Sequence, residues 1–125
     1  MNMMKTQNRK ILSVKNFDDT VFVSLEPADR LNILNADQVE KELIQLIQNG
    51  EKTILLDFSK MKFIDSSGFQ ALLSVHIDAR LKGVKFVIVN VNEEINYLLK
   101  LVDLDNIFEI SVKSDFNPTK LKKAS

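Results

Sequence analysis

The sequence of 125 residues contains no cysteine, one histidine and three glycines. Without cysteine, disulfides, thiol catalysis and thiolate metal sites are all excluded. Because His76 is the only histidine, clustered histidine metal sites are excluded and a Ser-His-Asp triad is disfavoured. Three glycines are too few for a glycine-rich phosphate-binding loop, and neither the P-loop nor the dinucleotide motif occurs. We therefore expect no metal site, no cofactor and no enzymatic activity.

An excess of charge and a long hydrophobic run are also lacking. Lysine plus arginine and aspartate plus glutamate both total 17, so the formal net charge is zero. This balance argues against direct nucleic-acid binding, which needs a basic surface. No apolar run approaches the roughly 20 residues of a membrane span, and residues 1–10 lack the apolar centre of a signal peptide. We expect a cytoplasmic protein, although a soluble partner of a membrane complex would have the same composition.

Segments with strand character alternate with helical ones along the chain. Residues 10–15 and 20–26 are predicted to form a β-hairpin, because Val21, Val23 and Leu25 recur at the strand period of two. The further predicted strands are 53–58, 86–89 and, at an edge, 107–110. The spacing of apolar residues predicts helices over residues 36–48, 66–81 and 92–101.

This order predicts an α/β fold in a single domain. We expect a mixed, mostly parallel β-sheet of four to five strands, with an N-terminal β-hairpin and three to four helices packed on it. The core is expected to span about residues 10–112, with terminal extensions at 1–9 and 113–125. The second extension is rich in lysine, and residues 116–125 are predicted to form a basic tail or a short helix.

Residues 27–35 are predicted to form a loop, because Pro27 ends the preceding strand. Asn32 and Asn35 are residue types suited to helix caps. The loop also carries Leu31, Ile33 and Leu34, and we expect these apolar side chains to be packed rather than left in solvent.

The stretch from Phe63 to Phe69, FIDSSGF, lies between a predicted buried strand and the second helix. Its aspartate and two serines are residue types that satisfy free N–H groups at a helix start, and Gly68 is expected to keep the first turn open. A hydroxyl there faces the positive end of the helix dipole, where a phosphate is well tolerated. From the local pattern alone, a plain helix cap is the commoner interpretation, and a modified or docking site is the alternative.

Two stretches together resemble the central signature of STAS domains, and the nearest branch is the anti-anti-sigma factors, also called anti-sigma factor antagonists. They are LLDFS at residues 55–59 and FIDSSGF at 63–69. The preceding hairpin, the link at 82–86, and residues 95–101 and 104–108 keep the order seen in that family. The resemblance covers roughly residues 10–112.

The resemblance implies a regulatory switch rather than an enzyme. In the family, an anti-sigma factor that is also an ATP-dependent serine kinase phosphorylates a serine at this helix start. The unmodified antagonist binds the anti-sigma factor and frees a sigma factor, and a serine phosphatase resets the modified form. Ser67 matches the phospho-acceptor. The implied neighbours and partner-binding residues are Asp65, Ser66, Gly68, Phe69, Asp29, Arg30 and Asn32.

The loop before the first helix departs from the family pattern. Many relatives have a glycine-containing turn leading into a Leu-Asp pair, whereas residues 28–35 here are ADRLNILN, so the identity of the partner is open. One alternative is a STAS scaffold, or a soluble subunit of a transporter or stressosome-like complex, that is never phosphorylated. The other is a small hydrolase or phosphatase using Ser67 or Asp57. The sequence leaves the oligomeric state open.

Overall fold

The computed structural model describes residues 10–112. In chain order, its elements are β1 (Leu12–Phe17), β2 (Thr20–Leu25), β3 (Arg30–Leu31), α1 (Ala36–Gln48), β4 (Thr53–Asp57), β5 (Phe63–Ile64), α2 (Ser66–Leu81), β6 (Lys85–Val91), α3 (Glu93–Leu101) and β7 (Glu109–Val112).

The main sheet has five strands in the order β1-β2-β4-β6-β7. β1 and β2 form the antiparallel N-terminal hairpin, and the other neighbouring pairs are parallel. Each parallel step requires a crossover connection, and α1, α2 and α3 supply these in turn. The predicted mixed α/β sheet with its hairpin is therefore confirmed.

All three helices contribute to one core with one face of this sheet. α1 buries Val39, Leu43 and Ile47, which recur at the helical spacing of an apolar stripe. On the sheet, alternate residues of β2, β4 and the first part of β6 face this core, as the strand period of two requires, and β6 resumes contact with the core after a register irregularity. These core residues of β2, β4 and β6 are Val21, Val23, Leu25, Ile54, Leu56, Phe86, Ile88 and Val91.

The alternate strand residues form a second, smaller buried cluster on the other face of the sheet. Its members are Phe17, Phe22, Leu55, Val87 and Val89. Strands β4 and β6 therefore bury apolar residues on both faces, as is usual for strands in the interior of a largely parallel sheet.

A second sheet was not predicted from the sequence. β3 and β5 pair in parallel through only two residues each, Arg30 with Phe63 and Leu31 with Ile64. β3 lies in the segment predicted to be a loop, and a two-residue strand is too short to show a period. The pair brings the segment before α1 against the segment before α2.

The packing prediction for residues 27–35 was right for one residue and wrong for two. Leu31 is fully buried, whereas Ile33 is 72% exposed and Leu34 is 89% exposed. At the sheet edge, the strand predicted at 107–110 begins only at Glu109, because Ile107 lies in the preceding turn. The predicted basic tail lies outside the described residues.

The fold predicts a large cost for truncating the centre of the sheet. Leu56 of β4 is fully buried in the main core, so Leu56→Ala should lower the free energy of unfolding by about 2–5 kcal/mol. Leu101→Ala is the control, because Leu101 is 62% exposed at the end of α3 and should change stability by about 0.5 kcal/mol or less. Urea denaturation measures both, and equal midpoints for the two variants contradict this packing.

Candidate functional site

Asp65 caps the start of α2 and also binds a second segment of the chain. Its Oδ1 accepts a hydrogen bond from the Gly68 N–H at 3.0 Å, which is the capping interaction. Its Oδ2 accepts one from the Ile33 N–H at 3.0 Å. The Asp65 N–H in turn donates to the Leu31 carbonyl at 3.2 Å. One residue therefore ties the start of α2 to the loop that follows β3.

Ser66 and Ser67 are the first two residues of α2. Ser66 is exposed and Ser67 is half-buried. Within the described part of the chain, neither hydroxyl has a hydrogen-bond partner in the structure. The first hydrogen bond that closes this helix runs from the Phe69 N–H to the Asp65 carbonyl at 3.0 Å, so the two serine N–H groups have no partner inside the helix. Both serines thus lie where a helix end attracts an anion.

Gly68 is required by packing rather than by its backbone angles. The residue is buried, and a Cβ added to it would lie 2.5 Å from the Leu31 carbonyl oxygen and 2.8 Å from Cγ2 of Ile64. The sequence suggested that glycine keeps the first turn open. The structure shows instead that glycine lets the β3 segment approach the helix backbone.

Phe69 points partly inward and packs against the main core. This agrees with its place in an apolar helix stripe and reduces the ring area that a partner could contact. Of the residues in the motif, Ser66 and Ser67 are the ones whose polar groups are available at the surface.

Asp29 and Arg30 lie beside the parallel pair of β3 and β5. The Asp29 carboxylate is 3.7 Å from the charged groups of both Arg30 and Lys62. The Arg30 guanidinium carbon lies 5.9 Å from the centre of the Phe63 ring, within reach of a cation–π contact. These exposed charged pairs contribute little stability, so the side chains are free to exchange their partners for those of another protein.

Asn32 and Asn35 shape the turn before α1, and the expected side-chain caps do not form. Asn32 Oδ1 accepts from the Leu34 N–H at 3.0 Å, and Asn35 Oδ1 accepts from the Asn32 N–H at 2.9 Å. α1 has no side-chain cap. This turn, with the Asp65 bond to the Ile33 N–H, presents Ile33 and Leu34 to solvent.

A shallow groove of about 180 Å³ runs from this turn along α1 and α2. It is lined by Ile33, Ala36, Asp37, Glu40, Ser67, Gln70 and Ala71. Further along, the Ser74 hydroxyl donates to Glu40 Oε2 at 2.7 Å and links the two helices. The groove therefore places Ser67 between an exposed apolar side chain and two carboxylates.

Asp57 and His76, two of the residues weighed for catalysis, have structural partners. Asp57 accepts hydrogen bonds from the Ser59 N–H and hydroxyl and from the Asn90 side chain, at 2.9–3.1 Å. His76 is half-buried, with its ring edge-on to Phe108 at 5.5 Å between centroids. Across residues 10–112, no three His, Cys, Asp or Glu side chains lie close enough together to hold a metal ion.

The motif identified Asp65 and Ser67, but the sequence analysis missed three features of the site. Ile33 and Leu34 were expected to be packed rather than exposed, and Glu40 was not considered. Ile33 and Glu40 are held by contacts between residues more than 30 positions apart, Ile33 with Asp65 and Glu40 with Ser74. The one local indication of a docking site was that Ile33 and Leu34 are adjacent large apolar residues in a loop that is otherwise largely polar.

The chain belongs to the STAS domain family, whose model matches residues 13–117. The five-stranded mixed sheet and the three helices described above are thus the fold of a STAS domain. None of the helices within residues 10–112 combines the length and apolar character needed to cross a bilayer.

Similar proteins are named as anti-sigma factor antagonists. BtrV of Bordetella bronchiseptica, which carries that name, is 25% identical over 81 residues, or 65% of this chain and 70% of BtrV. A crystal structure of an anti-sigma factor antagonist from Thermotoga maritima has 28% identity and a TM-score of 0.72, covering 87% of this chain and 90% of that one. SpoIIAA of Bacillus in its phosphorylated form shares the fold at 17% identity and a TM-score of 0.61, covering 82% of this chain and 92% of that one.

The close approach at Gly68 predicts that a single added methyl group is harmful. Gly68→Ala forces the Leu31 backbone away from α2, although alanine is the better helix former by about 1 kcal/mol. We expect a net loss of about 1–3 kcal/mol in the free energy of unfolding. Chemical denaturation measures this loss.

Ser66→Ala is the matched control, because Ser66 is exposed in the same first turn and does not supply the cap. It should unfold at nearly the wild-type denaturant concentration. A Gly68→Ala protein that is as stable as this control would contradict the packing described for Leu31.

Proposed function

We propose that the protein is an anti-sigma factor antagonist that is switched by phosphorylation of Ser67. Its partner is an anti-sigma factor that is also a serine kinase, and binding that partner releases a sigma factor. The observation that carries this proposal is the half-buried Ser67 hydroxyl, unbonded within the described residues, at the second position of a capped helix. The names of the similar proteins support it, and SpoIIAA is known in both unphosphorylated and phosphorylated forms.

The helix start is a physically suitable place to add a phosphate. Phosphorylation adds roughly −1.5 to −2 charges. The N-terminal end of α2 carries a partial positive charge, and the free N–H groups of Ser66 and Ser67 are donors for phosphate oxygens. Because Asp65 already supplies the cap, modification of Ser67 leaves the capping hydrogen bond in place. The modified domain should therefore remain folded.

The same charge opposes binding of a partner over the groove. Asp37 and Glu40 already line this groove beside Ser67, so a phosphate adds to negative charge that is present. A partner surface packed there must remove water from the dianion. A penalty of about 3 kcal/mol weakens binding by roughly a hundredfold.

Ile33 and Leu34 are the apolar part of the proposed docking surface, which we define as Ile33, Leu34 and the groove beside Ser67. Both side chains are more than two-thirds exposed. Covering a large apolar side chain completely contributes roughly 1.5–3 kcal/mol. Asp29, Arg30 and Asn32 flank this surface and are proposed to contact the partner at its rim.

The proposed cycle takes place in the cytoplasm, where a kinase has ATP and a sigma factor has its polymerase. A serine phosphatase returns Ser67 to the unmodified, binding state. The protein itself acts as substrate and ligand, and it contacts no nucleic acid directly.

The phospho-acceptor is tested by mass mapping. Incubation with ATP and a kinase-type anti-sigma factor from the same organism should add one phosphate, on Ser67, because this hydroxyl lies in the docking groove. Ser67→Ala should abolish incorporation, whereas Ser66→Ala, the control, should retain it.

Phosphate found on Ser66, Ser59 or Ser74 overturns the assignment of the acceptor. Binding of a partner without any phosphate transfer, by every kinase-type anti-sigma factor of the organism, supports the unphosphorylated scaffold instead.

The docking surface is tested by changing its most exposed apolar residue. Leu34→Ser should weaken anti-sigma factor binding tenfold or more, about 1.4 kcal/mol, with little change in stability because Leu34 is 89% exposed. Leu81→Ser is the matched control, since Leu81 is 80% exposed at the far end of α2. Calorimetric titration compares the two, and equal affinities place the docking surface elsewhere.

A further inference from the structure

A pocket of about 270 Å³ lies at the end of α2 that is remote from Ser67. Its walls come from the last turns of α2, from residues around the start of β6 and from residues around the start of β7. Because an α-helix rises about 1.5 Å per residue, Ser67 and Arg80 are about 20 Å apart along α2. The pocket is therefore separate from the groove beside Ser67 and from the proposed docking surface.

The polar part of the pocket lining is mainly basic. His76 and Arg80 line it from α2, and Lys85 lines it from β6. The acidic residue of the lining is Glu109, whose carboxylate lies 3.7 Å from the Lys85 ammonium group, so these two charges largely offset each other. Among residues 10–112, the Arg80 guanidinium has no carboxylate partner and the His76 ring nitrogens have no hydrogen-bond partner. The pocket therefore contains an unpaired positive charge.

The apolar part of the lining consists of side chains from all three walls. Ala79 and Phe86 are buried, Val84 is half-buried and Ile107 is 43% exposed. A ligand that covers exposed apolar side chains is stabilised by removing them from water. The volume lies just below the roughly 300–1,000 Å³ that is typical of pockets for drug-sized ligands. The pocket thus offers apolar contact beside a positive charge to a small molecule.

The C-terminal end of α2 does not cancel this positive charge. The free carbonyl groups at such a helix end carry a partial negative charge, which disfavours anions. Here the carbonyls of residues 78–80 accept hydrogen bonds from the N–H groups of residues 82–84. Arg80 itself lies in the last turn, where a cation opposes the same partial charge. An anion beside the guanidinium therefore meets carbonyl groups that are already hydrogen-bonded.

We propose that this pocket binds a small organic carboxylate, with its carboxylate group paired to Arg80 and its apolar body against Val84 and Ile107. The arginine guanidinium is a planar fork of donors that matches a carboxylate through two parallel hydrogen bonds. A neutral ligand would leave this charge unpaired, and an inorganic anion would leave the apolar walls uncovered. This inference is independent of the proposed switch, since neither Ser67 nor an anti-sigma factor enters it.

The experiment is a titration of the isotope-labelled full chain with benzoate, followed by nuclear magnetic resonance. Benzoate at millimolar concentration should cause saturable shifts of the backbone amide signals of Val84, Ile107 and Glu109. Benzamide has nearly the same shape without the charge, and inorganic phosphate has charge without the apolar ring. Neither should shift these signals at the same concentrations.

Three results of this titration overturn the proposal. Equal shifts with benzamide show that the pocket does not recognise the charge, and equal shifts with phosphate show that it does not need an apolar body. Benzoate shifts confined to residues 66–69, or no saturable shift at all, show that the pocket does not bind a carboxylate.

A variant pair tests the role of Arg80. Arg80→Gln should weaken benzoate binding tenfold or more, because it removes the unpaired charge. Lys82→Gln is the matched control, since it removes a charge from the same helix end, but Lys82 pairs with Asp78 and does not line the pocket. Both side chains are exposed, so both variants should give the dispersed spectrum of the folded protein. Equal benzoate affinities for the two variants contradict the pairing with Arg80.

Discussion

The candidate site depends on the carboxylate of Asp65, because each of its two oxygens accepts a hydrogen bond from a different segment of the chain. Asp65 accepts the Gly68 N–H with one oxygen and the Ile33 N–H with the other, both at 3.0 Å. The first bond starts α2, and the second holds the loop that presents Ile33 and Leu34. The start of α2, with Ser67, and the exposed apolar pair are thereby fixed relative to one another. A substitution at Asp65 affects the fold and the docking surface together.

Close packing reinforces this arrangement. The Leu31 carbonyl lies against the backbone of α2 at Gly68, and the two-residue pairing of β3 with β5 holds the adjoining segments in register. A charge added at Ser67 would therefore lie beside backbone that is already held in place by the contacts among Asp65, Gly68 and Leu31. The change it causes is expected at the surface, where a partner must contact it, rather than in the core. A switch of this kind needs no catalytic group in the domain itself.

Local sequence features predicted the elements, and long-range contacts decided the site. The bounds of α1 and α2 followed from apolar spacing, and Asp65 followed from the capping preference, because both depend on residues within a few positions. The position of Ile33 depends on a hydrogen bond to Asp65, more than 30 residues away, and no local pattern contains this contact. The pairing of β3 with β5 also joins residues more than 30 positions apart, so no local pattern predicted it.

Segments 53–58 and 86–89 were predicted as strands, and the structure places them as β4 and β6 in the interior of the main sheet. Their alternate residues enter the main core. Leu55, Val87 and Val89 from these strands join Phe22 in the second buried cluster, on the other face of the sheet.

The central claim is that the charge on Ser67 controls partner binding without unfolding the domain. Its most direct test is calorimetric titration of the anti-sigma factor against wild type, Ser67→Ala and Ser67→Asp, with thermal melts of all three. The account predicts three similar melts, wild-type affinity for Ser67→Ala, and at least a tenfold loss for Ser67→Asp, about 1.4 kcal/mol. Three similar melts with three equal affinities would contradict it.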